Sequence, residues 1–210
     1  MLLSQWKILK LMRYTLALAA LALAPAAFAD DIFQVRYAAN LNIGDSVINI
    51  TNTGANTDPV TGTDNICANI YTFDPAEELI SCCSCNVTPN GLQSLSVLKS
   101  LISNPLTPAI PTAVVVKIIA SDDDTCNASA PGSGGGLTHG LLAWGTSLHQ
   151  NTSTAAASYS VTETAFSFAE LSSAERIHIT QTCGFIQSNG SGFGICKGCA
   201  AGGLGAASAQ

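Results

Sequence analysis

The sequence predicts a mainly β protein: an antiparallel β-sandwich, Ig-like or jelly-roll-like, with one C-terminal α-helix and a framework of disulfides. Three observations carry this. Short apolar or alternating runs, each closed by Gly, Pro, Asn or Asp, recur at roughly ten-residue spacing. Only the stretch 172–189 has helix start and stop signals at its two ends. Eight cysteines, an even number, follow an export signal.

Residues 1–29 read as a signal peptide. Lys7, Lys10 and Arg13 supply positive charge, Tyr14 to Leu23 an apolar core, and Ala27-Phe28-Ala29 a small-residue cleavage site before Asp30. The apolar core is about ten residues, half of what a membrane span needs. Met12 is a second candidate start that leaves the same mature end. No cysteine follows the cleavage site closely enough for lipid attachment and no later apolar run is long enough to span a bilayer. The mature chain is therefore expected to be secreted or displayed at the extracellular surface, with the periplasm an alternative, and to have no membrane contact after cleavage.

Of the 8 basic residues, three lie in the leader; Arg36, Lys99, Lys117, Arg176 and Lys197 remain, scattered, against 14 acidic residues. That net charge of −9 argues against nucleic acid and anionic membranes as partners, because both are bound through clustered cations. Charged residues make up 10% of the chain, against about a quarter in an ordinary domain. The polar surface must then be mostly Ser, Thr, Asn and Gly.

Residues 30–199 are expected to form one domain, and 200–210 a flexible tail with nothing to pack. The first strand is Phe33 to Tyr37, which alternates, and the second Ser46 to Thr53, running into the turn Thr53-Gly54-Ala55-Asn56. Ile66 to Phe73 closes at Asp74-Pro75, and Glu78 to Cys85 precedes a Pro89-Asn90-Gly91 turn. Leu92 to Leu98 fits a strand slightly better than a helix, with a helical turn at Lys99 to Ile102. Thr112 to Ala120 is the most apolar run and is expected at a sheet centre. Ser121 to Gly136 reads as a long loop whose Gly132-Ser133-Gly134-Gly135-Gly136 run is mobile. Leu141 to His149 and Ser158 to Phe166 form a hairpin. In the helix, Ser172 with Glu175 makes a capping box and Asn189-Gly190 the C-terminal cap. Ala174, Ile177, Thr180 and Cys183 are expected to share its buried face, leaving His178 in solvent.

The cysteines fall into groups: Cys82, Cys83 and Cys85 in the fourth strand, Cys183, Cys196 and Cys199 in the helix and the glycine-rich loop after it, and the separated Cys67 and Cys126. On a strand, Cys82 faces one side and Cys83 and Cys85 the other. Three against three suggests that the helix and loop are bridged to the fourth strand, leaving Cys67 for Cys126. This is one of 105 pairings of eight cysteines. Two competing readings are a zinc site built from C-C-x-C and C-x-x-C thiolates, and redox exchange at Cys196 and Cys199.

Catalytic signals are weak. His139, His149 and His178 are the three histidines, and G-x-S-x-G, HExxH and P-loop motifs are absent. Gly190-Ser191-Gly192 is explained by the helix cap. Asp122-Asp123-Asp124 lacks the spaced ligands of a calcium loop and reads as a solvated tip. Trp144, Tyr159 and Phe166 would have to cluster on the surface to bind a sugar. N-x-[ST] sequons occur at Asn49, Asn86, Asn127, Asn151 and Asn189. No catalytic residue, cofactor-binding residue or metal ligand is assigned.

The segments Asp45 to Ala55, Glu78 to Gly91 and Gly184 to Cys199, with their CCSC and GFGICxxC sequences, resemble a family of uncharacterised secreted bacterial proteins. The resemblance covers essentially the whole mature chain and implies bacterial export; it brings no activity to any residue. The sequence thus predicts an exported, non-enzymatic structural or surface protein, self-associating as a fibre or matrix subunit by addition of the strand Asp30 to Leu41. An extracellular binding module for glycan or protein, and a secreted hydrolase with a loop-built site around His139 or His149, are the alternatives.

Overall fold

The structure is a computed structural model that describes residues 31–56, 64–152 and 158–198. The segment 1–29 read as a signal peptide, Asp30, Cys199 and the segment 200–210 read as a tail lie outside these residues.

The described residues form nine strands: β1 (Phe33–Ala38), β2 (Val47–Asn52), β3 (Ile66–Phe73), β4 (Leu79–Val87), β5 (Leu92–Ser96), β6 (Val114–Ser121), β7 (Leu141–Asn151), β8 (Ser158–Ala165) and β9 (Ser167–Phe168). Helix α1 is Ser173–Ser188, and a single π-turn, Val97–Leu101, follows β5. Two sheets result, one ordered β4-β3-β6-β1-β9 and the other β5-β2-β7-β8. Every strand pairing in them is antiparallel.

The five-stranded sheet is the middle layer of three. Its inner face packs on the four-stranded sheet through Ile66, Ala68, Ile70, Val116 and Ile118 against Ile48, Ile50, Leu95 and Leu141. Its outer face carries a second core, in which Tyr71, Phe73 and Ile119 meet Ile179 and Ile186 of α1. Burial on both faces explains why β3 and β6 read as nearly continuous apolar runs: all eight residues of β3 are buried. β6, the most apolar run, sits at the sheet centre as expected. β2 covers only one face of the sandwich, so its burial alternates.

Helix α1 starts where Ser172 Oγ accepts from Glu175 N at 3.1 Å, and ends at Asn189 with Gly190 at φ +70°. Its buried face differs from the expected one. Ile179, Cys183 and Ile186 are inside, whereas Ile177 is 54% exposed. The reason is helical period: at about 100° per residue, Ala174 lies half a turn away from Cys183, so a strict i+3 row cannot stay on one face. His178 is exposed, as predicted.

The segment offered as an added strand is already used within its own chain. Phe33–Ala38 pairs with β6 over six residues, with β9 on its other side. Leu41 is buried, and its N–H donates to Thr112 O at 2.9 Å.

Candidate functional site

The CCSC stretch forms a clamp on the edge of β4. Strand alternation sends Cys82 into the outer core and Cys83 and Cys85 into the inner one. Cys82 bonds Cys183 of α1 (Cα–Cα 5.9 Å), and Cys83 bonds Cys196 of the glycine-rich loop (Cα–Cα 5.4 Å). One strand is thus held from both faces by neighbouring residues. Between the two bridges the loop runs along the β4 edge, where Cys82 N donates to Gly194 O (2.9 Å) and Cys196 N to Cys82 O (3.3 Å). Gly194 is required there, since its φ is +77° and a Cβ would lie 2.7 Å from Ile186 Cγ2. Cys85 is disulfide-bonded as well. Cys67 bonds Cys126 (Cα–Cα 5.3 Å), so the expected grouping is found for these three pairs, and the expectation for Cys199 lies outside the described residues. Of the sulfurs that a zinc site or a Cys196–Cys199 exchange pair would use, those of Cys82, Cys83, Cys183 and Cys196 are engaged in these bridges, and Cys199 lies outside the described residues.

The loop 121–137 also departs from expectation. Asp123 is buried rather than a solvated tip, while Asp122 and Asp124 are exposed. The Asp123 carboxylate accepts from Gly132 N and Gly134 N, both at 2.7 Å. Burial would raise its pKa, but the amides of Gly134, Gly132 and Gly135 and the Ser121 hydroxyl outweigh it and hold the group below the usual carboxylate value. The glycine run is therefore a carboxylate cradle rather than a tether: a Cβ on Gly135 would lie 1.8 Å from Asp122 O. Besides the Cys67–Cys126 bridge, hydrogen bonds to the second core and to the helix moor the loop. Tyr71 OH donates to Ala128 O at 2.7 Å, and Arg176 Nη2 of α1 to Pro131 O at 2.7 Å. Burial raises the Tyr71 phenol's pKa, with the Arg176 charge opposing it.

His139 and His149 each meet a polar side chain at the surface. His139 Nδ1 lies 2.6 Å from Asp31 Oδ1, and the other oxygen of Asp31 accepts from Gly140 N at 2.8 Å. This pair sits on the rim with the imidazole 63% exposed, where it ties the start of the domain to the entry of β7. His149 Nε2 lies 2.9 Å from Thr162 Oγ1 on the β7–β8 hairpin. A groove of about 430 Å³ is lined by Phe73, Asp74, Glu77, Val115, Lys117, Glu175 and His178. Lys117 crosses it, pairing with Glu175 and lying 4.5 Å over the Phe73 ring. Its lining offers no hydroxyl or thiol nucleophile. Among the described residues, no group of three or more His, Cys, Asp or Glu is placed to hold a metal ion.

The three aromatics proposed for a sugar face are dispersed. Phe166 is buried in the inner core, Trp144 is half-buried opposite Ala165, and Tyr159 lies opposite Gln150. Six residues of strand, about 20 Å, separate the Trp144 and Tyr159 positions. Sequence reasoning also missed Arg36, which reaches from β1 to the other sheet. Its Nη1 donates to Thr164 O (2.9 Å) and Nη2 to Ser147 Oγ (3.0 Å). Burial lowers its pKa, with Glu163 opposing. The signal was Gly145 in mid-strand, where a Cβ would lie 2.7 Å from Arg36 Nε.

The edges of the sheets are treated unequally. β4 is covered by the loop at 194–196, and Leu106 N also donates to Ile80 O at 2.8 Å. β9 is two residues long and β5 five. β8 has eight residues, pairs with β7 without a bulge from Trp144↔Ala165 to Asn151↔Ser158, and is exposed at every position. It holds no Lys or Pro, residues that commonly blunt an edge, and a single charge, Glu163. Comparison with family models, curated proteins and solved structures gave no match. No helix among the described residues is long and apolar enough to cross a membrane.

Proposed function

We propose that this chain is an exported, non-enzymatic structural protein that associates with copies of itself by pairing strand edges. The observation that carries this reading is β8, a long, regular edge strand exposed on both faces beside a domain whose other long edge is covered. The signal segment at 1–29 and the disulfides support an extracellular or otherwise oxidising destination. Donation of Asp30 to Leu41 would require β1 to leave a six-residue pairing; β8 requires no such opening. The test is sedimentation and electron microscopy of the oxidised chain from Asp30 onward. Concentration-dependent association into dimers or larger assemblies is expected. A monodisperse monomer at every concentration up to the millimolar range would defeat the proposal.

A further inference from the structure

Resting on the self-association just proposed, we infer that β8 pairs antiparallel with β8 of a second copy, about a two-fold axis that passes beside Val161. The register of β7 against β8 fixes which way each side chain points. Arg36 reaches Thr164 and Ser147 from the other sheet, so Thr164, Thr162 and Ser160 lie on the inner face of the hairpin. Tyr159, Val161 and Glu163 lie on the outer face, where Asn49 Nδ2 meets Glu163 Oε1 at 3.4 Å.

Around Val161 this strand is nearly its own complement. In an antiparallel pair centred there, Val161 faces Val161 of the second copy, Tyr159 faces Glu163, and Ser160 faces Thr162. Each face is chemically matched. The inner face pairs hydroxyl with hydroxyl, a cross-strand combination that stabilises antiparallel ladders, and the outer face brings the apolar side chains together at the axis. Val161 and Tyr159, 61% and 52% exposed in the single chain, are the large apolar groups that such a contact would cover. The charge pattern points the same way. Glu163 is the single ionisable acid in β8, and this register sets it opposite a tyrosine; the two glutamates stand four positions apart, about 13 Å along the strands. Like charges therefore do not face each other. The result is an isologous contact that joins two four-stranded sheets into one of eight, with β5 at each end.

The test uses the oxidised full domain, whose described cysteines are all bonded, so an introduced cysteine supplies a new thiol. Val161→Cys and Glu163→Cys are each incubated with mild oxidant at concentrations where the unsubstituted chain associates. A reducible dimer from Val161→Cys and at least a tenfold lower yield from Glu163→Cys is the expected result, with an equimolar mixture of Tyr159→Cys and Glu163→Cys cross-linking efficiently. Val161→Lys, which sets two ammonium groups face to face, should remain monomeric with an unchanged unfolding midpoint. Association that persists in Val161→Lys, or cross-linking by Glu163→Cys in place of Val161→Cys, would overturn this interface while leaving self-association intact. An unsubstituted chain that never associates overturns both.

Discussion

β4 and β8 each end a sheet, and they are finished in opposite ways. The edge of β4 is paired with the chain's own C-terminal loop and fastened by bridges from Cys82 and Cys83 to both faces. β8 is exposed at every position and has no partner strand on its outer side among the described residues. Both sequences look unremarkable for strands, yet one buries seven of its first seven residues and the other none. An edge strand is closed by what lies elsewhere in the chain, so edge chemistry cannot be judged from the strand alone. On the self-association proposed above, the two edges have different roles: the β4 side stabilises the domain, and the β8 side meets another chain.

The largest effect should come from breaking the clamp. Replacing Cys82 and Cys183 together by Ala opens a bridge which, with Cys83–Cys196 still closed, completes a loop of about 15 residues, for which chain-entropy reasoning gives a loss of about 3 kcal/mol. Urea unfolding measures it, and a loss under about 1 kcal/mol would mean that the helix and β4 stay together without the bridge. A smaller effect should follow acidification. The folded Asp123 pKa is held below its unfolded value, so its contribution is complete above that unfolded value, about 3.9, and is lost as pH falls through it toward the folded pKa. Unfolding midpoints of the unsubstituted chain should drop below about pH 4, with a shallower drop in Asp123→Asn; parallel curves would remove Asp123 from the account. The smallest change belongs to β8. Thr162→Ala in the monomer should stay within about 0.5 kcal/mol of the parent, as surface substitutions do.

Much of the clamp was legible in the sequence because it follows from simple periods. Strand alternation alone places Cys82 opposite in sense to Cys83 and Cys85, and Ser172, Glu175 and Gly190 mark the helix ends. The buried face of α1 was misread because the i+3 row Ala174, Ile177, Thr180, Cys183 turns around the helix axis, whereas Ile179 and Ile186 flank Cys183 by four and three residues. The glycine run at 132–136 was read as slack because composition says nothing about a carboxylate nine residues upstream. Nor does a sequence say that β4 and β5, joined by one short turn, belong to different sheets. The bareness of β8 was the least legible feature, since an alternating run such as Tyr159-Ser160-Val161-Thr162 normally has one face buried.

Hydrogen exchange across the monomer–dimer transition tests the central claim most directly, because it reads both edges in one sample. On raising the protein concentration through the transition, amides in Tyr159–Thr164 should gain protection, while those of β4 and α1, already protected, stay unchanged. Protection gained along β4 or α1, with β8 exchanging as fast as before, would contradict the assignment of β8 as the associating edge.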